Sequence, residues 1–176
     1  MPEIGIILGS DSDLPKVSEC FSILEEFGAD FEIIISSAHR TPEKTKEWVM
    51  SARERGIKVI IAIAGGAAHL PGVVASHTTL PVIGVPIESK IAGGLDSLLS
   101  IAQMPSGIPV AAMPAGKSGG ANAALYAISI LSVSKESYLL KLKQYREKMA
   151  EKISAKNKDL NAKGYAKYIK DLKDKE

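Results

Sequence analysis

A chain of 176 residues, 45% hydrophobic and 24% charged, is long enough for one domain with a full core and leaves little room for a second. Its net charge of +2 is unevenly divided: from Lys135 onward 13 basic residues stand against 7 acidic ones, net +6, and the part before Lys135 carries 9 basic against 13 acidic, net −4. An acidic body excludes a nucleic-acid surface there, since that needs a basic footprint, and the lone Cys20 excludes a disulfide framework and points to a reducing compartment.

Taken in order, Glu3 to Leu8 reads as a first strand, short and rich in isoleucine. The turn Gly9-Ser10-Asp11-Ser12-Asp13 follows, and Leu14-Pro15 opens a helix whose Val17, Phe21, Leu24 and Phe27 fall at helical spacing. Ser12 or Asp13 is placed to cap that helix, and Gly28 stops it. Backbone N–H groups and hydroxyls at a helix start make an anion site, so Ser10 or Ser12 is a candidate for phosphate. Asp13 would repel a phosphate; it either accepts bonds from a ribose diol or is simply the cap.

A second strand, Phe31 to Ile35, runs into Ser36-Ser37-Ala38-His39-Arg40-Thr41-Pro42, where Thr41 caps the next helix, Glu43 to Arg55. This turn sets a proton-transfer group beside a permanent cation: histidine exchanges a proton near neutral pH, and arginine grips a phosphate or carboxylate through a planar fork. The pairing suits a small anionic substrate; the alternative is a turn-filling histidine next to a solvated arginine.

The third strand, Val59 to Ile63, leads to Ala64-Gly65-Gly66-Ala67-Ala68-His69-Leu70-Pro71-Gly72 and a short helix to about Ser76. His69 either caps that helix or touches substrate, while His77, near its end, reads as structural. A fourth strand, Pro81 to Pro86, precedes the Gly93-Gly94 loop and a helix from Asp96 to Gln103. Met104-Pro105-Ser106-Gly107 then introduces a fifth strand, Ile108 to Ala112, and Gly116-Lys117-Ser118-Gly119-Gly120 opens the helix Ala121 to Val133.

Val59 to Ile87 lacks formal charge, but Gly65-Gly66, Pro71-Gly72, Pro81 and Pro86 interrupt it too often for a membrane span. With no secretory pattern at Met1-Pro2-Glu3, a cytoplasmic protein without a membrane partner is expected.

Five near-continuous apolar strands alternating with helices predict an α/β three-layer sandwich: a doubly wound parallel sheet of about five strands, flavodoxin- or Rossmann-like, covered on both faces. Ligands of such sheets gather outside the carboxyl ends of the strands, where the unusual turns are expected to converge. This body is assigned to residues 1–134 and a C-terminal helical extension to 135–176. In the extension Tyr138, Leu142, Tyr145, Met149 and Ile153 form an amphipathic stripe, a break falls near Asn161 to Gly164, and Tyr165, Tyr168, Ile169 and Leu172 form a second stripe. Packing against a neighbouring subunit is the expected use.

Familiar motifs are missing. Gly116-Lys117-Ser118 lacks the glycine five positions earlier that a Walker loop requires, since that residue is Ala111, and no G-x-G-x-x-G follows the first strand. Three histidines without a nearby cysteine or carboxylate cluster predict no metal site, and no G-x-S-x-G elbow supports a serine hydrolase.

Read together, Gly9-Ser10-x-Ser12-Asp13, Ser37 to Pro42, Ala64 to Gly72, Asp96-Ser97-Leu98-Leu99-Ser100, Gln103-Met104-Pro105-x-Gly107 and Asn122-Ala123-Ala124-Leu125 closely resemble the N5-carboxyaminoimidazole ribonucleotide mutases, the class I PurE family of de novo purine synthesis. The match runs from about Ile4 to Leu131, with six motifs in the same order. The resemblance implies transfer of a carboxylate from the exocyclic nitrogen of a ribonucleotide to a ring carbon, by decarboxylation and recarboxylation, with no cofactor or metal. It implies that His39 is the general acid/base and that Ser10, Asp13, Ser37, Arg40, Gly65, His69 and Leu70 bind substrate. It further implies a homo-oligomer, an octamer in this family, in which the C-terminal helix embraces neighbours. Two alternatives stand beside it: direct carboxylation of aminoimidazole ribonucleotide by carbon dioxide, and a non-catalytic flavodoxin-like nucleotide-binding module.

Overall fold

The computed structural model describes residues 1–174. The chain forms two compact units, Met1–Tyr138 and Leu139–Glu176; the last two residues of the expected extension, 175 and 176, lie outside the described part.

The first unit is built on five parallel strands in the order β2-β1-β3-β4-β5: β1 Ile4–Leu8, β2 Phe31–Ile35, β3 Val59–Gly65, β4 Val82–Ile87 and β5 Ala111–Ala112. In β1 and β4 every residue is buried, and in β3 all but the last. Burial on both faces accounts for the continuous Ile and Val runs, because a strand covered on one face only would alternate. Register is uniform, Ile4 facing both Phe31 and Val59, so the strand ends and the turns beyond them come level along one rim.

Helix α1 Ser18–Glu26 packs with α5 Lys117–Ser132. Helices α2 Pro42–Met50, α3 Leu70–Ser76 and α4 Leu95–Ala102 supply Val49, Leu70, Val74 and Ile101 to a core shared with Ile7, Ile60, Ala62 and Val82. Fully burying a side chain of this size contributes about 1.5–3 kcal/mol, so the core outweighs any single polar contact. At the amino-terminal end of the sheet, Glu3 joins Lys58 at 2.8 Å and also Lys135. Burial pushes the Glu3 carboxyl up, and the two ammonium groups outweigh it, holding the group below the ordinary value.

Four local expectations are corrected. The chain after β1 does not start an α-helix at Leu14: Asp11–Val17 is a 3-10 helix, capped by Ser10 rather than by Ser12 or Asp13, and α1 begins only at Ser18. Pro15 offers no N–H to an α-helical ladder, which favours the tighter local bonds of this segment. Thr41 occupies the cap position of α2, but its hydroxyl turns to Ser37 and Ser36 instead of the helix. β5 pairs only through Ala111 and Ala112, an edge strand shortened by Pro109, which lacks a ladder donor. Finally, α5 starts at Lys117, so Gly119 and Gly120 lie inside it, and a Cβ on Gly119 would fall 1.8 Å from the Pro114 carbonyl oxygen.

The second unit consists of the body of α6 Glu136–Lys163 and of α7 Tyr165–Lys173, separated at Gly164, whose φ of 74° suits glycine. Lys163 ties the two together by ion pairs with Asp159 and Asp171, each at 2.9 Å.

Candidate active site

Three turns meet at the carboxyl ends of β1, β2 and β3, the point where the strand order reverses and where open α/β sheets bind ligands. Ser36 is the hinge of the second. It is buried, its N–H donates to the Leu8 carbonyl at 2.9 Å, and its hydroxyl bonds Thr45 at 2.8 Å and Thr41 at 3.0 Å. The Thr41 hydroxyl also accepts from the Ser37 N–H at 2.9 Å. This knot of hydroxyls fixes the Ser37 to Arg40 turn, and the Arg40 N–H is held by the Ser37 hydroxyl at 3.2 Å.

Arg40 then reaches across to the first turn and donates from Nη2 to the Gly9 carbonyl at 2.9 Å. One donor of the guanidinium is engaged there, and four remain. The first turn is shaped by Ser10, whose Oγ accepts from the Ser12 N–H at 3.3 Å and lies 2.9 Å from the Ser12 hydroxyl. Asp13, next in that turn, is buried at 8% exposure. Desolvation raises its carboxyl above the ordinary range, opposed by the charge of Lys16 and by the Ser12 hydroxyl.

The third turn brings His69, whose side chain does not cap α3. Instead its Nδ1 lies 3.0 Å from Nε2 of His39, the rings meeting edge to face. A hydrogen bond between two ring nitrogens needs one proton and one lone pair, so the pair shares a single proton across that contact.

A cleft of about 480 Å³ opens among these turns, a size suited to a mononucleotide. Ser10, Asp13, Ser37, His39, Arg40, Gly65 and Leu70 all line it, and His69 joins through His39. The convergence of turns is narrower than the sequence suggests. Gly116 to Gly120 contributes nothing to the cleft wall, and Gly107 lines a different groove, of about 880 Å³, with Thr79 and Pro81 at the amino ends of β4 and β5.

Three participants went unread in the sequence. Lys16 and Glu88 line the cleft, and Ser97, fully buried at the start of α4, accepts a bond from the Gly66 N–H at 2.8 Å. Lys16 could have been found from its position one helical turn beyond Ser12. Glu88 lies far along the chain with nothing local to mark it, and Ser97, although it stands in the Asp96 to Ser100 motif, carries no local sign of its bond to Gly66. Among the described residues, no group of three or more His, Cys, Asp or Glu side chains could hold a metal ion, and no helix is long and apolar enough to cross a membrane.

The chain is similar to proteins named as mutases and as carboxylases. The family described as AIR carboxylase matches residues 3–152. The chain is 56% identical over 168 residues to the N5-carboxyaminoimidazole ribonucleotide mutase of Pyrococcus horikoshii, covering 96% of this chain and 94% of that one. It is 49% identical over 168 residues to the phosphoribosylaminoimidazole carboxylase of Saccharomyces cerevisiae, 96% of this chain but 29% of that longer protein. The crystal structure of Treponema denticola PurE superposes with a TM-score of 0.82 at 32% identity, over 91% of this chain and 99% of the other.

Proposed function

The chain belongs to the AIR carboxylase family, and from that premise we infer how its cleft carries out the conversion of N5-carboxyaminoimidazole ribonucleotide to 4-carboxy-5-aminoimidazole ribonucleotide. The enzyme is a mutase of purine biosynthesis: the carboxylate leaves the exocyclic nitrogen and is re-formed on a ring carbon.

In our reading His39 protonates the exocyclic nitrogen as its bond to the carboxyl carbon breaks, releasing carbon dioxide and aminoimidazole ribonucleotide. The ring carbon attacks the held carbon dioxide, and His39 takes the proton that this carbon loses. The proton given in the first half is thereby recovered in the second. His69, sharing a proton with His39 at 3.0 Å, orients the imidazole between the two steps. Arg40 and Ser10 bind the phosphate, Asp13 accepts from the ribose diol, and Ser37, Gly65 and Leu70 shape the wall around the base. Holding both fragments together away from water supplies effective concentration, which is most of what such a transfer needs.

The observation that carries this reading is the meeting of two imidazoles at the edge of a cleft whose wall also holds a guanidinium and a buried carboxylate. The test is conversion of the carbamate in bicarbonate-free buffer. The mutase makes carboxylated product there, whereas an enzyme confined to free carbon dioxide makes none. Direct carboxylation is the second reading, supported by the name of the Saccharomyces relative, and dependence on added bicarbonate would favour it.

The enzyme acts as a homo-oligomer, an octamer by family resemblance. Exposed Met149 and Ile153 on α6 and Tyr165, Ile169 and Leu172 on α7 support this, as do Ile33 and Ile35 on edge strand β2. A cytoplasmic setting fits the buried Cys20, whose thiol burial pushes up to about 12, leaving it inert.

A further inference from the structure

Ser97 is a fully buried polar side chain that supports the cleft wall from behind. It does not line the cleft. Its hydroxyl accepts from the Gly66 N–H at 2.8 Å and lies 3.0 Å from the Ile87 carbonyl oxygen. The roles are forced: an amide can only donate, so the hydroxyl proton goes to the carbonyl. One side chain at the start of α4 therefore ties the turn after β3, 31 positions before it, to the end of β4.

The tie matters because of what it holds. Gly66 has φ +62°, and a Cβ there would meet nothing within 4 Å, so no packed side chain fixes this backbone and its hydrogen bonds must do so: the carbonyl accepts from the Ala68 N–H at 2.8 Å and the N–H donates to Ser97. A Gly-Gly peptide rotates more readily than any other. In a trans peptide the N–H and the preceding carbonyl point in opposite directions. Anchoring the Gly66 N–H inward on Ser97 therefore turns the Gly65 carbonyl away from the core, on the side where Gly65 and Gly66 form the cleft wall. On its other side Gly65 is held by its register with Ile87 of β4, where a Cβ would meet the Ile87 side chain at 3.1 Å, and Ile87 is the residue whose carbonyl Ser97 also engages.

We propose that Ser97 is a positioning residue for the transfer: its hydroxyl locks the Gly65-Gly66 peptide so that the Gly65 carbonyl accepts from the exocyclic amine of the aminoimidazole intermediate. The ring is thereby kept from turning while carbon dioxide is held beside it. This rests on the mutase reading above. Ser97 touches neither fragment and acts through the peptide, so it bears on the time between bond cleavage and bond formation and little on the grip of phosphate or ribose.

The test compares the intact enzyme with Ser97→Ala and Ser97→Thr, using carbamate labelled with carbon-13 in the carboxylate and unlabelled bicarbonate in the buffer. Wild type converts the carbamate and retains most of the label. Ser97→Ala is expected to lose roughly 100-fold in kcat, the scale of a misplacement of about 1 Å, with KM changed less than about threefold. Its product should carry mostly unlabelled carboxyl, and Ser97→Thr, which keeps a hydroxyl, should recover both rate and label. Thermal melts confirm that each variant is folded at the assay temperature, and Ser97→Cys, similar in size but a poor hydrogen-bonding group, replaces Ser97→Ala if that variant does not fold. Wild-type kcat and label retention in Ser97→Ala overturn the proposal, as does a loss of rate with label retention intact. A wild type that does not convert the carbamate, or that exchanges its label completely, overturns instead the reading on which the proposal stands.

Discussion

His39 reaches its position through contacts that leave its chemistry separable from binding. The turn that carries it is fixed by Ser36, Thr41 and Thr45, while the phosphate and ribose grips proposed above fall to Arg40, Ser10 and Asp13, which line the same cleft. His39→Asn is thus expected to lower kcat by at least about 10²–10⁴-fold, the usual worth of general acid-base catalysis, while calorimetry finds aminoimidazole ribonucleotide bound nearly as before. Normal turnover by that variant would remove His39 from its role. Asp13 makes the opposite trade. Its burial raises the carboxyl in the folded state above the unfolded value of about 3.9, so folding disfavours the charged form relative to the unfolded chain. Its stabilising contribution is therefore full below about pH 3.9 and is lost as pH rises through the raised folded value. Asp13→Asn is expected to melt higher than wild type at pH 7, with the gap narrowing toward pH 4, and to raise KM roughly 10- to 100-fold through loss of a charged hydrogen bond. A wild-type KM would show that Asp13 is only part of the turn's architecture.

Elements meet at glycines where two backbones come closer than a side chain permits. In α5, a Cβ on Gly119 would lie 1.8 Å from the Pro114 carbonyl oxygen and 3.2 Å from Val85 of β4, and a backbone carbonyl cannot rotate aside as a side chain would. Gly119→Ala is expected to cost about 1–3 kcal/mol or more in denaturant unfolding, as overpacking of a close-packed site does. A stability within about 0.5 kcal/mol of wild type would mean that α5 slides freely. The same contact explains why the glycine-rich stretch Gly116 to Gly120 is not a phosphate loop: its glycines serve the seating of α5, and they are absent from the cleft wall.

At the scale of the molecule, the α/β unit is closed by its own core, and the second unit displays apolar residues that its own helices do not cover. Met149 is 53% and Ile153 64% exposed on α6. Burying such side chains against another copy would contribute about 1.5–3 kcal/mol each, whereas a charge there would oppose association. Met149→Glu combined with Ile153→Glu is expected to reduce the mass measured by light scattering without lowering the helical signal in circular dichroism. An unchanged mass would rule out subunit clasping by this stripe.

The sequence by itself determined the parallel α/β architecture and set Asp13, His39 and Arg40 in turns that follow strands, whereas the parts proposed for these three side chains come from the resemblance to family motifs. The architecture and the turns rest on local signals: β-branched runs that demand burial, helical spacing of apolar residues, and turns rich in glycine and hydroxyls. Tertiary structure alone decided that His39 meets His69 across 30 positions, that Arg40 is held by Gly9, and that Ser97 supports Gly66 from behind. It also decided the 3-10 entry after β1 and the two-residue β5, where neighbouring elements and prolines override the pattern. The division has a physical cause: periodicity and propensity act within a few residues, while a hydrogen bond between distant residues exists only once the sheet's register has brought their turns level.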